Sequence, residues 1–387
     1  MQKPDKPTPD FPLYAHRAGY WAKKIHGKTI YFGPWDDPDA ALHRYRREKD
    51  LWEAGMDPRH GSSPTTSIDP DIGVRLGDGC NLFLEAVYRK VGDGRLGMRS
   101  YRDYVSTCKR VLAIIDRYTP INSMTIDDWM RVHRELGKDR SPVTLGQDIT
   151  RLKTCMQWLV DNGKIREPRY GSEFKRPARI EVRRSRANSG RRWFDAKEIL
   201  HLAGVAGPAM KAMILLGVNC GLGNGDCSQL LVEYLDLKRG WLDYDRPKTG
   251  TPRRAKLWPE TIAAIRAYEA KRPKVKLPNL FVTKFGNVWS DPDSAECAVS
   301  RAFQKLCRDK GCHIPGRGFY GLRRTFETIA GATKDQVAVD YIMGHIDDSM
   351  AAVYRQDIGD DRLEAVAKHV RGWLFGGKSK GSGKGHI

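Results

Sequence analysis

The stretch IMGHIDDSMAAVYRQ contains a histidine and a tyrosine, two residue types that carry out acid–base and nucleophilic chemistry in proteins. Tyr354 follows His345 by nine residues. A packing interpretation competes with a chemical one, because Ser349 can cap a new helix on which Tyr354 packs beside Met350, one turn earlier. Taken alone, the stretch favours packing, so the choice depends on the rest of the chain.

Three further segments place charged side chains at turns. In NCGLGNGDCSQL a glycine-rich turn precedes Asp226, which we expect to cap a helix. DYDRPKTGTPRRAKLWP predicts a hairpin, and GFYGLRRTFETIAG predicts a helix that an arginine pair opens. Fixed guanidinium and ammonium groups of this kind can bind phosphate oxygens. The basic residues concerned are Lys248, Arg253, Arg254, Lys256, Arg323 and Arg324.

The overall charge points to a polyanionic partner. The chain has 387 residues and a net charge of +20, which favours association with nucleic acid. No segment approaches the roughly 18 apolar residues of a membrane-spanning helix, and the N-terminus lacks the apolar core of a signal peptide. Eight scattered cysteines without a C-x-x-C pair predict reduced, mostly buried thiols. We therefore expect an intracellular, cytoplasmic protein that is associated with DNA and has no membrane partner.

Changes in composition and hydrophobic period predict several domains. Apolar residues recur at helical spacing over most of the chain, and short strand patterns occur in two places, so we expect a mainly α fold with small β-sheets, of the α+β class. The predicted stretches are a disordered tail at 1–10, a small hairpin-plus-helix domain at 11–55, a linker at 56–71, a four-helix domain at 72–165, a basic boundary at 166–192, a third domain at 193–375 and a flexible basic tail at 376–387.

Two regions outside the third domain are candidates for DNA contact. The hairpin that pairs residues 21–25 with 29–32 interleaves basic and aromatic side chains, which favours DNA contact over a merely solvated face. The boundary at 166–192 has ten Lys or Arg residues against three Glu, a run that fits either a solvated linker or a bound polyanion. The candidate residues are Lys23, Lys24, Lys28, Arg183 and Arg184.

The order and spacing of the four segments resemble the catalytic domain of the tyrosine recombinases, the phage-integrase family. In that family a T-G-L-R-x-x-E turn, a K-T-G-like hairpin, an H-x-L-R box and an L-G-H box follow one another. The nucleophilic tyrosine comes nine residues after the last histidine. Lys248, Arg323, His345 and Tyr354 match the hairpin lysine, the second arginine, the second histidine and the nucleophile, and Asp226 matches the acidic residue. The resemblance extends more loosely to the helical domain and to the N-terminal hairpin, which resemble core-binding and arm-binding domains.

The resemblance implies a metal-free and ATP-free reaction without a cofactor. Tyr354 would attack a DNA phosphodiester and form a 3′-phosphotyrosine, which keeps the bond energy for religation. Arg323 would stabilise the extra negative charge of the pentavalent phosphorus, and His345 would donate a hydrogen bond to a phosphate oxygen. Lys248 would protonate the departing 5′-oxygen.

Two positions depart from the family pattern. Gly223 occupies the place of the first arginine, and Tyr320 that of the first histidine. Tyr320 can still donate a hydrogen bond at the site, although a packed aromatic is an equally good interpretation. Loss of one fixed charge donor costs about 3–4 kcal/mol of transition-state stabilisation unless another cation replaces it. The candidate replacements, each of which is also a candidate DNA-phosphate contact, are Arg246, Arg253, Arg254 and Arg324.

Two functions remain in competition at this level. The first is a site-specific DNA recombinase that acts through Tyr354. The second is a recombinase-fold protein that only binds a specific DNA sequence, which Gly223 favours. A metal-dependent nuclease is disfavoured, because the nearby aspartate pairs look like helix caps. We expect double-stranded DNA as partner and self-association into a tetramer on it. The amphipathic C-terminal helix DDRLEAVAKHVRGWLF packs either on its own domain or on a neighbouring protomer.

Overall fold

The protein is described from a computed structural model that covers residues 3–8, 10–53, 73–246, 249–289, 297–345 and 357–376. The chain divides into two compact units, residues 1–188 and 189–387. Helices make up 56% of the described residues, and the described strands form two small antiparallel sheets, which confirms the α+β class. No helix within the described ranges has the length and apolar character needed to cross a bilayer.

The first unit begins with a three-stranded sheet covered by one helix. The elements are β1 (Tyr14–His16), β2 (Tyr20–Ile25), β3 (Lys28–Pro34) and α1 (Pro38–Glu53). The predicted hairpin is confirmed, and its turn has positive φ at both His26 (47°) and Gly27 (80°), the conformation that suits a two-residue hairpin turn. Trp21, Phe32 and Tyr45 fill the small core between sheet and helix.

Four helices follow, as the hydrophobic period predicts. They are α2 (Leu76–Gly92), α3 (Met98–Ile114), α4 (Ile126–Gly137) and α5 (Pro142–Asp161). Thr125 and Asp128 form a capping box at the start of α4, because each side chain accepts a hydrogen bond from the backbone N–H of the other. Trp129, Val132 and Leu152 are buried in the common core.

The boundary segment at 166–192 is more structured than a linker. Phe174 is buried and packs against Trp129, with ring centroids 5.5 Å apart, and Tyr170 stacks on Phe174 at 5.2 Å. Helix α6 (Arg179–Asn188) then follows, and none of its residues is buried. The composition of the segment predicts neither the packing of Tyr170 and Phe174 nor helix α6, because basic residues surround these two aromatic side chains of the helical core.

The second unit contains helices around one short sheet. In chain order they are α7 (Ala196–Val205), α8 (Pro208–Asn219), α9 (Asn224–Gln229), β4 (Leu235–Asp236), β5 (Trp241–Asp243), β6 (Arg254–Lys256), α10 (Pro259–Glu269), α11 (Ala298–Asp309), α12 (Tyr320–Ala330), α13 (Gln336–Met343) and α14 (Asp360–Phe375). Helix α8 is central, since residues 212–219 are all buried. It packs against α7, α10 and α12.

The C-terminal helix α14 packs on its own unit. Its apolar residues Leu363, Val366 and Val370 are buried, and Trp258 Nε1 donates a hydrogen bond to Ala367 O at 2.8 Å. Of the two alternatives left open by the sequence, the structure therefore shows packing within the chain. The apolar stripe of α14 is not available to a second protomer in this arrangement.

A buried carboxylate joins two helices of the helical domain. Asp148 on α5 is fully buried and accepts a hydrogen bond from Thr107 Oγ1 on α3 at 2.9 Å. Three partly exposed arginines surround the same carboxylate, namely Arg110, Arg140 and Arg151. The negative charge is thus compensated by cations, and the pair of helices is fixed in register.

We predict that Asp148→Ala lowers the free energy of unfolding by about 3 kcal/mol, because three guanidiniums then lose their common partner. Urea denaturation followed by far-UV circular dichroism measures the loss. Asp127→Ala is the matched control, since Asp127 is exposed in the first turn of α4 and contributes no more than about 1 kcal/mol through the helix dipole. Equal effects of the two substitutions would contradict a stabilising role for the Asp148 cluster.

Candidate functional site

Arg323 is the buried centre of the candidate site. Leu322, Phe326 and Ala330 form the inner face of α12, and the helical period turns Arg323 inward with them. The side chain of Arg323 is about 1% exposed. Its Nη1 donates a hydrogen bond to Gly221 O at 2.7 Å, and its Nη2 donates one to Met343 O at 2.8 Å. Burial lowers the pKa of Arg323, yet a guanidinium retains its charge in proteins.

The two carbonyls that Arg323 binds belong to turns that carry other predicted site residues. Gly221 has φ of 63° and lies two residues before Gly223. Met343 ends α13, and Gly344 follows in the left-handed conformation (φ 62°) and caps the helix before His345. One buried cation therefore fixes both turns relative to α12.

His345 is oriented by carboxylates. Its Nδ1 lies 3.0 Å from Asp340 Oδ1 and 3.9 Å from Glu327 Oε2. Gln336 Nε2 donates to both carboxylates, at 3.0 Å for Asp340 and 3.3 Å for Glu327. Because Nδ1 is occupied by Asp340, Nε2 is the ring nitrogen that remains for a ligand.

A cavity of about 290 Å³ brings several predicted residues together. Arg323, His345, Tyr320 and Arg324 all line it. Arg192, which is not among the predicted site residues, lines the same cavity, and the basic run at 166–192 is the only sequence signal for it. Three guanidiniums and one imidazole, which can bind a phosphate group, line this cavity beside the carboxylate of Glu327.

Asp226 does not cap its helix in the predicted way. Helix α9 begins one residue after Gly223, which is the N-cap, and Asp226 is the third helical residue. Its Oδ2 accepts a hydrogen bond from the backbone N–H of Gly223 at 2.7 Å. The carboxylate therefore reaches back to the start of the helix, because a glycine N-cap has no side chain of its own.

Arg253 and Arg254, which we expected to contact DNA, are both engaged within the protein. Arg253 is buried, with its Nη2 3.2 Å from Asp226 Oδ1 and its Nε donating to Tyr244 O at 2.8 Å. Arg254 on β6 bridges Asp243 at 2.6 Å and Asp360 at 2.7 Å. Nη1 and Nη2 of Arg253 have no hydrogen-bond partner among the described residues, so the predicted phosphate contact of Arg253 stays a prediction. A phosphate contact by Arg254 would have to displace its carboxylates.

Lys248 and Tyr354 lie outside the described residues, so their predicted roles stay predictions. On either side of Lys248 the chain closes a hairpin, since Arg246 N donates to Thr251 O at 2.9 Å and Gly250 N donates to Arg246 O at 2.8 Å. Arg246 Nη1 in turn donates to Gly344 O at 3.3 Å. The base of the predicted lysine hairpin therefore lies beside the residue that precedes His345.

The remaining candidate residues are in the first unit. Lys24, Lys28, Arg183 and Arg184 are exposed, as DNA contacts require. Lys23 is half-buried, and its Nζ donates a hydrogen bond to Pro12 O at 2.9 Å. Exposure makes the first four available to a polyanion, and their predicted contacts remain untested.

Two clusters of ligand-type side chains occur among the described residues. Glu327, Asp340 and His345 form the first, whose hydrogen bonds were given above. Cys80, Cys108 and Cys155 form the second, on α2, α3 and α5, where the folding of the helices brings together residues far apart in sequence. Burial raises the pKa of the Cys155 thiol well above its ordinary value, which favours a neutral thiol there, whereas hydrogen bonds from Cys108 and Cys155 lower the pKa of Cys80. The predicted free thiols are confirmed.

The described fold is that of the tyrosine-recombinase integrases, in agreement with the motif resemblance. A lambda integrase tetramer bound to a Holliday junction matches with 15% identity and a TM-score of 0.56, over 92% of this chain and 99% of that chain. A lambda integrase dimer bound to a COC′ core site matches with 16% identity and a TM-score of 0.55, over 92% and 97%. The Tn1549 transposon integrase in complex with transposon right end DNA matches with 16% identity and a TM-score of 0.54, over 76% and 99%.

Neither a protein-family profile nor a curated protein matches the sequence. The structural match thus extends over nearly the whole chain at an identity that supports the fold alone. Conclusions about activity depend on the residues of the cavity.

The buried pair of Asp226 and Arg253 provides a stability test of the site. We predict that Asp226→Ala lowers the free energy of unfolding by about 3 kcal/mol, because the buried guanidinium loses its counter-charge. Arg253→Met should have a comparable effect, and the double variant should cost less than the sum of the two. Urea denaturation of all four proteins gives the coupling free energy, expected at about 2 kcal/mol. Strictly additive effects would show that the pair does not act as a unit.

Proposed function

We propose that the protein is a site-specific DNA recombinase that cleaves and rejoins DNA through a phosphotyrosine formed by Tyr354. The observation that carries the proposal is the convergence of Arg323 and His345 on one cavity of about 290 Å³. They do so within a fold shared with integrases whose structures contain DNA. The net charge of +20 adds the long-range attraction that a DNA-binding enzyme needs.

Arg323 can stabilise the transition state even though two carbonyls already bind it. A guanidinium has five N–H donors, and the bonds to Gly221 and Met343 use two. Its Nε has no hydrogen-bond partner within the described ranges. An unpaired buried donor is costly, and a phosphate oxygen in the cavity would pair it. Charge developing on a pentavalent phosphorus would then meet a preorganised cation.

The reaction that follows balances without an external reagent. The phenolic oxygen of Tyr354 gives its proton to solvent water and bonds to phosphorus while the bond from phosphorus to the 5′-oxygen breaks. Lys248 gives its proton to the departing 5′-oxygen, and His345 Nε2 faces the phosphate. Tyr354 is nine residues after His345 and three before Asp357, so a fully extended chain places it within roughly 30 Å of the first and 11 Å of the second. Tyr320 donates a hydrogen bond at the same cavity.

Double-stranded DNA is the proposed partner, and the protein is proposed to act inside the cell. The matched lambda integrase structures contain a dimer and a tetramer on DNA, so we propose self-association on DNA here as well. Since the apolar stripe of α14 is buried in its own unit, the contact between protomers uses another surface. Exposed basic residues of the first unit, Lys24, Lys28, Arg183 and Arg184, are proposed to neutralise phosphates.

A second candidate function is sequence-specific DNA binding without strand cleavage. The absent side chain at Gly223 favours it, because a site with one fewer guanidinium loses several hundredfold in rate. Both functions predict DNA affinity that falls steeply with salt. Only the first predicts a covalent bond between protein and DNA.

Covalent trapping separates the two functions. Binding sites are first selected from a random duplex pool by retention on the protein. A nick is then placed a few nucleotides beyond the cleaved phosphate, so that the short fragment with the new 5′-hydroxyl diffuses away. We expect a denaturation-resistant protein–DNA adduct with the wild-type chain and none with Tyr354→Phe. Adduct formation should persist in EDTA, because fixed cations replace a metal in the proposed reaction.

The control for that experiment is Tyr341→Phe, which removes a hydroxyl from α13 in the same unit and should leave the adduct intact. An adduct that survives in Tyr354→Phe would exclude Tyr354 as the nucleophile. Its absence from the wild-type chain, with DNA binding retained, would support the binding function instead.

Asp340 should influence cleavage through His345. We predict that Asp340→Asn slows adduct formation about tenfold to a hundredfold, because a neutral amide no longer fixes the imidazole tautomer. The Kd for the selected duplex should stay within about twofold, since Asp340 is acidic and does not line the cavity. Asp361→Asn, in the exposed first turn of α14, is the charge-matched control. Parallel losses of affinity and rate would indicate a general structural role for Asp340.

A further inference from the structure

The glycine at position 223 is not required by the backbone. Gly223 has φ of −84° and ψ of 172°, an extended conformation open to every residue. A Cβ built on it would lie 3.3 Å from Asp226 Oδ2 and 3.6 Å from the ring of Tyr320. Neither backbone strain nor a clash with the backbone therefore excludes a side chain at position 223. A side chain there would lie beside the ring of Tyr320.

The guanidinium of Arg324 lies over the ring of Tyr320. Tyr320 and Arg324 are four residues apart on α12, so they lie on the same face of the helix. The guanidinium carbon of Arg324 is 5.6 Å from the ring centroid, within cation–π range. Stacking on an aromatic face reduces the freedom of a long side chain and fixes the direction of its planar donors.

Arg324 differs from the other candidate replacements in having no competing partner. Arg246 binds Gly344 O, Arg253 is held by Asp226, and Arg254 bridges two aspartates. Arg324 is exposed and lines the cavity together with Arg323 and His345, and its guanidinium has no hydrogen bond or ion pair to any residue that the structure describes. Arg192 also lines the cavity, but it comes from an irregular segment without an aromatic support of this kind.

We propose that Arg324, positioned by the ring of Tyr320, supplies the second guanidinium of the phosphate site in place of the side chain that Gly223 lacks. The inference rests on the proposed recombinase function and adds a catalytic residue to it. Arg323 and Arg324 would then bind different non-bridging oxygens of the same phosphate. The aromatic residue at 320 would serve as a support for that cation in addition to any hydrogen bond from its hydroxyl.

The first test is the rate of adduct formation on the nicked duplex at saturating DNA. We expect Arg324→Ala to lose about a hundredfold, as for removal of one preorganised charge donor, and Arg324→Lys to lose less. Tyr320→Phe should retain more of the rate than Tyr320→Ala, because only the ring positions the guanidinium. Arg308→Ala, an exposed arginine at the end of α11 outside the cavity, makes the same change in charge and should stay within about twofold.

A neutral substrate distinguishes a contact with phosphate from a structural role. Replacing one non-bridging oxygen of the cleaved phosphate by a methyl group removes its negative charge, so the loss in Arg324→Ala should shrink to less than about tenfold. Gly223→Arg introduced into Arg324→Ala should recover at least about tenfold of the rate on the normal phosphate, since it restores a guanidinium beside Tyr320.

The outcomes separate this inference from the function on which it rests. If the wild-type chain forms an adduct and Arg324→Ala forms it at the same rate, the inference is overturned and the function stands. An equal loss on charged and neutral phosphates, with Gly223→Arg giving no recovery, also overturns it. A wild-type chain that binds the duplex without forming an adduct overturns both.

Discussion

The candidate site depends on the burial of one guanidinium. Taking a cation out of water costs several kcal/mol, and Arg323 recovers part of that cost from the carbonyls of Gly221 and Met343. Those carbonyls end the turns that precede Gly223 and His345, so the charge that would bind phosphate also sets the geometry around it. Because only two of five donors are used, Arg323 can hold the fold together and still face a ligand.

Carboxylates divide the remaining cations of the second unit into structural and available ones. Asp226 retains Arg253 in the interior, and Asp243 with Asp360 retains Arg254. Each pairing removes a positive charge from competition for a polyanion, while the guanidiniums at the cavity have no such partner among the described residues. The same principle operates at His345, where a carboxylate faces one ring nitrogen and leaves the other for a ligand. Local pairing of charge, and not the total of +20, therefore defines where a phosphate fits.

Much of the fold followed from local rules. The helical period located the four helices of residues 72–165, and the Thr125–Asp128 box gave the start of one of them because its hydrogen bonds join residues only three apart. Turn chemistry likewise gave the hairpin at His26–Gly27. Phe174 could not be assigned from its neighbours, since its basic surroundings resemble a linker, and only its packing on Trp129 places it in the core.

The sequence by itself determined which residue types occur in which order: Lys248 in a predicted hairpin turn, Arg323 on a predicted helix, and Tyr354 nine residues after His345. These features depend on local backbone preferences and spacing. The tertiary structure alone decided that Arg253 faces inward towards Asp226, that Arg323 binds the carbonyls of Gly221 and Met343, and that His345 shares a cavity with Arg323 and Arg324. The physical reason is that pairing of charges depends on distance and burial between elements far apart in the chain, which neither composition nor period specifies.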